Sequence, residues 1–356
     1  MSCHFRVIDT GLRDGRANIA FDAALIEAHK SGAIPDTIRF LRFPPTALVG
    51  RHQALSQEIH LDHCRRHGIG IARRITGGGA IYFDEGQLGW ELVFHRDTLG
   101  IGDLTTLART ICEAAADGLA ALGVPARFRP RNDIEVDGRK LCGTGGFFDG
   151  DTLFYQGTVL IDMDPTTMVA ALKVPKEKLA KRNLDSAAMR IVTLKELLGS
   201  RSPATEAVKN ALLDGFARRL GIAAFLAAPS EREEALAAQF HHAEIGTDAF
   251  VYEIDNPGVG DGVRSATHTG PGGTVRAYVR LDGAAQDRVR EVLITGDFFV
   301  TPPRTIFDLE ASLRGVRVDA IGPAVERFFA GAAIGMLSLG STDFATVLEA
   351  AVRQPG

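Results

Sequence analysis

The chain has 356 residues, 45% of them hydrophobic and 24% charged, and carries a formal net charge of −4 at pH 7. This is an ordinary globular composition, long enough for two domains, and its acidic balance leaves no basic excess to neutralise nucleic-acid phosphates. No apolar run spans a bilayer, the charged N-terminal stretch has no secretory core, and the cysteines Cys3, Cys64, Cys112 and Cys142 are scattered without a CxxC pair; a cytoplasmic protein with reduced thiols and no nucleic-acid or membrane partner is expected.

In chain order, "ANIAFDAALIEAHKSG" (17–32) has apolar residues at helical spacing and stops at Gly32. "TIRFLRF" alternates as a strand and ends at Pro44-Pro45; "TALVGRHQ" predicts a second strand, leading into a helix over about 56–67. "IGIARRITGGGAIYF" predicts strand, glycine turn, strand, and "LGWELVFH" another strand. The pattern over 104–123 predicts a long helix with Gly123 as its C-cap. Turn signals at Asp137-Gly138, Gly145-Gly146 and Asp149-Gly150 divide residues 132–162 into a meander of short strands. Segments 165–181, 191–199 and 203–221 are helical in pattern, 223–246 is an Ala- and charge-rich connector able to carry a helix, and the glycine-dense stretch 256–273 predicts a mobile loop. "TVRAYVRL" and "RVREVLITGDFFV" then predict strands, followed by two or three short helices. Runs of strands with helices between them predict an α+β fold with a largely antiparallel sheet, and the change of character after Gly221 predicts a second, small domain.

Two stretches carry candidate chemistry. "RRITGGG" (73–79) joins two arginines to three glycines, which suits close approach of backbone to an anion; a glycine turn beside two solvated arginines fits the residues equally. In "RNDIEVDGRKLCGTGG" (131–146), a turn at Asp137-Gly138 brings Asp133 and Lys140 onto neighbouring strands, either as an ordinary ion pair or as a phosphate site with the carboxylate on a metal. Cys142, beside Lys140, is a candidate nucleophile or a small core residue. His60, His63 and His67 share one helical face, but nothing elsewhere completes a ligand set. Neither a Walker loop nor a dinucleotide-binding GxGxxG is present, so a nucleotide would bind by another device.

"NIAFDAAL", "TIRFLRFPPTALVGRHQ", "ARRITGGGAIYFDEG", "RNDIEVDGRKLCGTGG", "YQGTVLID" and "LAKRNLDSAAMRIVTLKELL" occur in that order and together resemble the catalytic domain of lipoate–protein ligases, in the biotin/lipoate ligase superfamily. The tail from "GGTVRAYVRL" onwards is similar to the small accessory domain of these ligases, here in the same chain. The resemblance implies a catalytic domain over 1–225, a linker over 226–243 and an accessory domain over 244–356. It implies that ATP activates lipoate to lipoyl-AMP, and that the lipoyl group then passes to a lysine of an acceptor domain: a glycine-cleavage H protein, a dehydrogenase E2 domain or a specialised lipoyl carrier. By motif position, Arg74, Thr76, Gly77, Gly78 and Gly79 would contact the adenylate and its phosphates. Lys140 would contact the reacting carboxylate and the α-phosphate, and Asn132 and Asp133 would hold nucleotide and Mg2+, Asp133 being the metal ligand. Gly143 and Thr144 would line the site. A closed apolar tunnel should shield the adenylate from water, with the accessory domain as its lid. The chain departs from the family pattern at Phe83 and Gln156, where histidines are usual, and at Cys142, Thr144 and Gly145, where Ser-Gly-Ser-Ala usually follows the lysine motif. Two rival functions are an octanoyl- or lipoyl-transferase using Cys142 as thioester nucleophile, and a non-catalytic protein that only binds lipoyl carriers.

Overall fold

The computed structural model describes residues 3–130, 132–173, 190–258, 260–270, 272–331, 334–336 and 339–355. The first part is built on an eight-stranded sheet. Its strands are β1 (Cys3–Leu12), β2 (Thr37–Arg42) and, after a small three-stranded sheet made of β3 (Thr46–Val49), β4 (Gly70–Arg73) and β5 (Ile81–Phe83), β6 (Gln87–His95), β7 (Arg127–Arg129), β8 (Asp133–Val136), β9 (Arg139–Asp149), β10 (Thr152–Leu160) and β11 (Ile222–Leu226). The large sheet runs β11-β1-β2-β6-β10-β9-β8-β7 and the small one β4-β3-β5. Only the β11–β1 and β1–β2 pairs of the large sheet are parallel, so the fold is α+β with a mixed, largely antiparallel sheet.

Alternation sorts the two faces. Even-numbered residues of β6, among them Trp90, Leu92 and Phe94, join Tyr155 and Cys142 beneath the helices Leu104–Ala120 and Thr205–Leu220. Odd-numbered residues of β6 face the opposite way, toward the helix Gly15–Lys30 and the small sheet. The space between the two sheets is where the cavity described below opens.

After β11, the connector forms the helix Glu231–Phe240, which packs on Gly15–Lys30 and is tied to β1 by a buried Arg6–Glu233 pair at 2.6 Å. That long-range pair explains why β1 escaped the sequence reading: Arg6 breaks the apolar pattern locally and is neutralised by a residue far along the chain. A second core forms around the antiparallel sheet β12 (Arg264–Gly270), β13 (Gly273–Asp282) and β14 (Arg288–Gly296). The helices Thr305–Leu313, Ile321–Ala330 and Ser341–Val352 cover it. Thr301 locks this unit onto β9 by bonding both the N–H and the carbonyl of Phe148, at 2.8 and 2.7 Å, and Arg276 pairs with Glu58 at 2.9 Å.

Three expectations are corrected. Gly145-Gly146 is not a turn but lies inside β9, where the glycines admit the Phe299 and Tyr155 rings. Residues 264–270 of the expected mobile loop form the edge strand β12, whose alternating exposure left little apolar signal. The helix expected over 56–67 is broken at Ile59 into Leu55–Glu58 and Leu61–Arg66. The part of the helix 165–181 beyond residue 173 lies outside the described residues; Pro165–Ala171 is helical.

Candidate functional site

One cavity of about 370 Å³ lies between the two sheets. Arg74, Gly77, Gly78, Gly79, Asn132, Asp133, Lys140, Gly143 and Thr144 all line it, so two motifs more than fifty residues apart in sequence share one cavity. Thr76 alone stands behind, with its hydroxyl accepting from Arg74 Nε and from Gln156 Nε2. Gln156, where the family pattern has histidine, thus ties β10 to the glycine loop.

The cavity floor follows from register. One row of residues directly opposite one another runs Leu41–Gly89–Thr158–Gly143–Asp133 across β2, β6, β10, β9 and β8; the next runs Arg39–Glu91–Gln156–Gly145. Strict alternation would put Lys140 and Gly143 on opposite faces of β9. The pairing slips by one residue between Ile134–Cys142 and Glu135–Lys140, leaving Leu141 as a bulge, and this turns both Lys140 and Gly143 toward the cavity. The turn before it has positive φ at both Asp137 and Gly138, as a two-residue hairpin loop requires. The Lys140 side chain lies across Gly143, where a Cβ would come within 2.5 Å of its Cε and Nζ.

Lys140 Nζ meets Asp133 Oδ1 at 2.8 Å, and Arg129 holds Oδ2 at 2.7 Å. Burial alone would raise the Asp133 carboxyl, but these two cations overcome it and hold it below its usual value. Both carboxylate oxygens are engaged by cations, and among the described residues no group of three or more His, Cys, Asp or Glu could hold a metal ion. As it stands, Asp133 is paired with Lys140 and Arg129, so taking up the Mg2+ expected of it would require one of these pairs to open toward the metal. His63 and His67 stack ring on ring at 4.1 Å and belong to no such group either. Asn132 and Thr144 are tied together: the Asn132 side chain donates to the Thr144 carbonyl, and the Thr144 hydroxyl donates to the Asn132 carbonyl at 2.8 Å.

The glycine loop is no hairpin, because β3 runs between β4 and β5 and the loop has to cross it. Its arginines divide the work by alternation. Arg73 is fully buried and donates to six backbone carbonyls, among them Val251, Ile254 and Gln53, pinning the segment 250–254. Arg74 faces the cavity. Its Nη2 donates to the carbonyls of Gly77 and Gly79, while its buried Nη1 has no partner, and burial brings its guanidinium down to about 10, still a cation at neutral pH. An unpartnered buried donor on a cation fits an anionic ligand group.

The accessory unit presses on the same loop. Gly78 N donates to the Phe298 carbonyl at 3.0 Å, a Cβ on Gly77 would overlap that carbonyl, and the Phe299 ring covers Gly78 and Gly145. Phe299 and Asp297 both line the cavity. Sequence reasoning missed these two, together with Asp22 and Glu91. The last pair did leave a signal: an acid inside the apolar stripe of a helix and another inside an alternating core strand. Phe83 stacks on Phe43 with ring centroids 4.4 Å apart, so the missing histidine is replaced by apolar wall. Cys142 is on the other face of β9, wholly buried, with its thiol pushed up to about 12 by burial. None of the four cysteines lines the cavity.

A glycine-floored, mainly apolar slot with two cations at one end has the shape and charge to suit an acyl chain that ends in an anion. Residues 14–217 match the family model of the lipoyl protein ligase A/B catalytic domain, and the chain belongs to that family. It is 31% identical over 271 residues to an octanoyltransferase LipM of Symbiobacterium thermophilum, covering 70% of this chain and 98% of that protein. A bipartite lipoate protein ligase of Thermoplasma acidophilum, solved in a study of that ligase and its E2 lipoyl domain, superposes with a TM-score of 0.63 at 27% identity, over 71% of this chain and 97% of that one. The LipL1 protein of P. falciparum, solved with lipoate, has a TM-score of 0.72 over 93% of this chain and 95% of its own; at 16% identity this shows that the fold is shared. The chain is thus an enzyme of the lipoate ligase and octanoyltransferase family. Among the described residues no helix is long and apolar enough to cross a membrane.

Proposed function

We propose that the protein is an ATP-dependent lipoate–protein ligase, which converts lipoate to lipoyl-AMP and then transfers the lipoyl group to a lysine of a lipoyl-acceptor domain. The observation that carries this reading is a cavity with cations and no thiol. Attack of a carboxylate on an α-phosphate brings two anions together, and fixed cations offset their repulsion. Lys140, steadied by Asp133, supplies a compact positive charge over Gly143, and Arg74 offers its unpartnered Nη1 from the glycine loop. Departure of pyrophosphate leaves a mixed anhydride, which the acceptor amine attacks at the acyl carbon, releasing AMP. Asp133 is a weak base in its present company, and its part is to orient Lys140. Catalysis in residues 1–225, with residues 244–356 closing the site, belongs to the same proposal; Phe299 over the glycine loop supports it.

The octanoyltransferase relative favours a second reading, acyl transfer between carriers through a cysteine thioester. That route needs a thiolate beside the cations, and burial keeps Cys142 protonated on the wrong face of the sheet. Lipoate-dependent exchange between ATP and pyrophosphate tests the choice. Exchange supports the ligase; its absence, together with ATP-independent octanoyl transfer to a lipoyl domain, would overturn it. A panel of H protein, E2 domain and specialised lipoyl carrier then identifies the acceptor.

A further inference from the structure

At the end of the cavity away from Lys140, Asp22 and Glu91 share one buried guanidinium. Arg39 Nη1 meets Asp22 at 2.6 Å and Glu91 at 3.1 Å, its Nη2 donates to Asn18 Oδ1 at 2.6 Å, and its Nε donates to Thr10 Oγ1 at 2.9 Å. Asp22 and Glu91 are 1% and 2% exposed, and both line the cavity. One carboxylate is enough to neutralise one arginine, and here Nη1 donates to both carboxylates while Asn18 and Thr10 accept from Nη2 and Nε. The second carboxyl adds desolvation and repulsion that a single positive charge offsets only in part. Such a local conflict inside a binding cavity points to a ligand.

Register gives the distance. From β9, where Lys140 lies over Gly143, the floor crosses Thr158 on β10 and Gly89 on β6 to Leu41 on β2. Three strand spacings amount to about 14 Å. An extended eight-carbon acid with its carboxylate at Lys140 reaches about 10 Å, from bonds of about 1.5 Å. Its far end comes to rest over β6, beside Glu91 and Asp22, with Ile19, Leu41, Phe43 and Phe83 as the apolar walls.

Resting on the ligase reading, we propose that the Asp22–Glu91 pair determines specificity at the far end of the acyl chain, selecting a chain that ends in sulfur, as disulfide or dithiol, over a plain alkyl chain. Burial first, and then the nearby Glu91, push the Asp22 carboxyl well up, which favours a proton held by the pair beside its lone pairs. Ring sulfur accepts from the O–H, dithiol S–H donates to the carboxylate, and a methyl end does neither. An alkyl end against the pair removes its water and returns no hydrogen bond.

The test is calorimetric binding of free lipoate, dihydrolipoate and octanoate to the full chain without ATP, repeated on Asp22→Leu and Glu91→Leu. Each substitution leaves Arg39 one carboxylate. The unmodified protein should bind both sulfur-bearing acids more tightly than octanoate. Each leucine variant should cut that preference by about fivefold or more, the scale of a buried polar group losing its partner. Asp22→Asn, which keeps the shape, is measured the same way if leucine prevents folding, and should shift the preference in the same direction. An unaltered preference in folded variants, or tighter binding of octanoate by the unmodified protein, overturns the proposal. Sulfur-selective binding without ATP–pyrophosphate exchange would sink the ligase reading alone.

Discussion

Gly143→Ala separates the position of Lys140 from its presence. The new methyl would stand 2.5 Å from Lys140 Cε and Nζ, too close for any real contact, and what gives way is the far end of a flexible side chain. The ammonium then leaves its 2.8 Å contact with Asp133. Little stability depends on that contact, since the Lys140 side chain is 34% exposed and partly exposed pairs contribute about 1 kcal/mol or less. A loss of that size lowers the melting temperature by about 2–4 °C. The effect on rate should be much larger, because displacing a positioned catalytic group by about 1 Å can cost up to about 100-fold. The assay is lipoate-dependent ATP–pyrophosphate exchange, with thermal melting as the control for folding and Lys140→Ala as the floor. Exchange within twofold of the unmodified protein, in a variant that melts normally, would refute the idea that Lys140 acts from its place over Gly143.

Lys140→Ala should fold with Asp133 still paired to Arg129, yet lose about 100-fold or more in both adenylation and transfer from supplied lipoyl-AMP, followed by acceptor mass. Cys142→Ala should keep ATP-dependent modification within about threefold and cost about 1 kcal/mol as a small core truncation; loss of modification by a folded variant would count against the ligase reading. His52 gives a pH prediction. Burial holds it neutral, taking its pKa from 6.5 to about 3, while it stacks on Phe298 of the accessory unit with centroids 5.3 Å apart. The unfolded chain protonates this histidine below about 6.5 and the folded chain does not, so its share of stability is whole above that value and declines as pH falls toward 3. By pH 5 the loss reaches about 2 kcal/mol. Chemical denaturation at pH 7 and pH 5 should show it, and His52→Phe should flatten the difference; an undiminished slope in that variant would remove His52 as the cause.

What could be read from sequence was whatever local chemistry determines. The Asp137-Gly138 turn sets the register that joins Asp133 to Lys140, and the glycine triplet announces a close approach. What stayed hidden depends on partners distant in the chain. Arg6 looks like a surface charge until Glu233 covers it, and Arg39 until Asp22 and Glu91 do. The Leu141 bulge, which reverses the facing of β9, has no marker in "RKLCGTGG", and without it Cys142 could be read either as a nucleophile or as a core residue.

The three glycines of the loop have unequal tasks, and the difference ties the accessory unit to the site. At Gly77 any side chain would displace the Phe298 carbonyl, so the requirement there is set by the accessory unit. Gly78 has a φ of +90° and carries the Phe299 ring, so backbone conformation and contact both demand glycine. Gly79 has only the Asp297 side chain near it, at 3.7 Å from a Cβ, and its carbonyl receives Arg74. A loop built merely to wrap an anion would need its amides free, yet here the Gly78 amide is bonded to Phe298. Beside it Arg74 Nη1 is an unpartnered donor, on a side chain held in place by the same carbonyls that the glycines expose. The seat of the accessory unit and the aim of the arginine are therefore set by one loop, and a change at Gly77 or Gly78 disturbs both together.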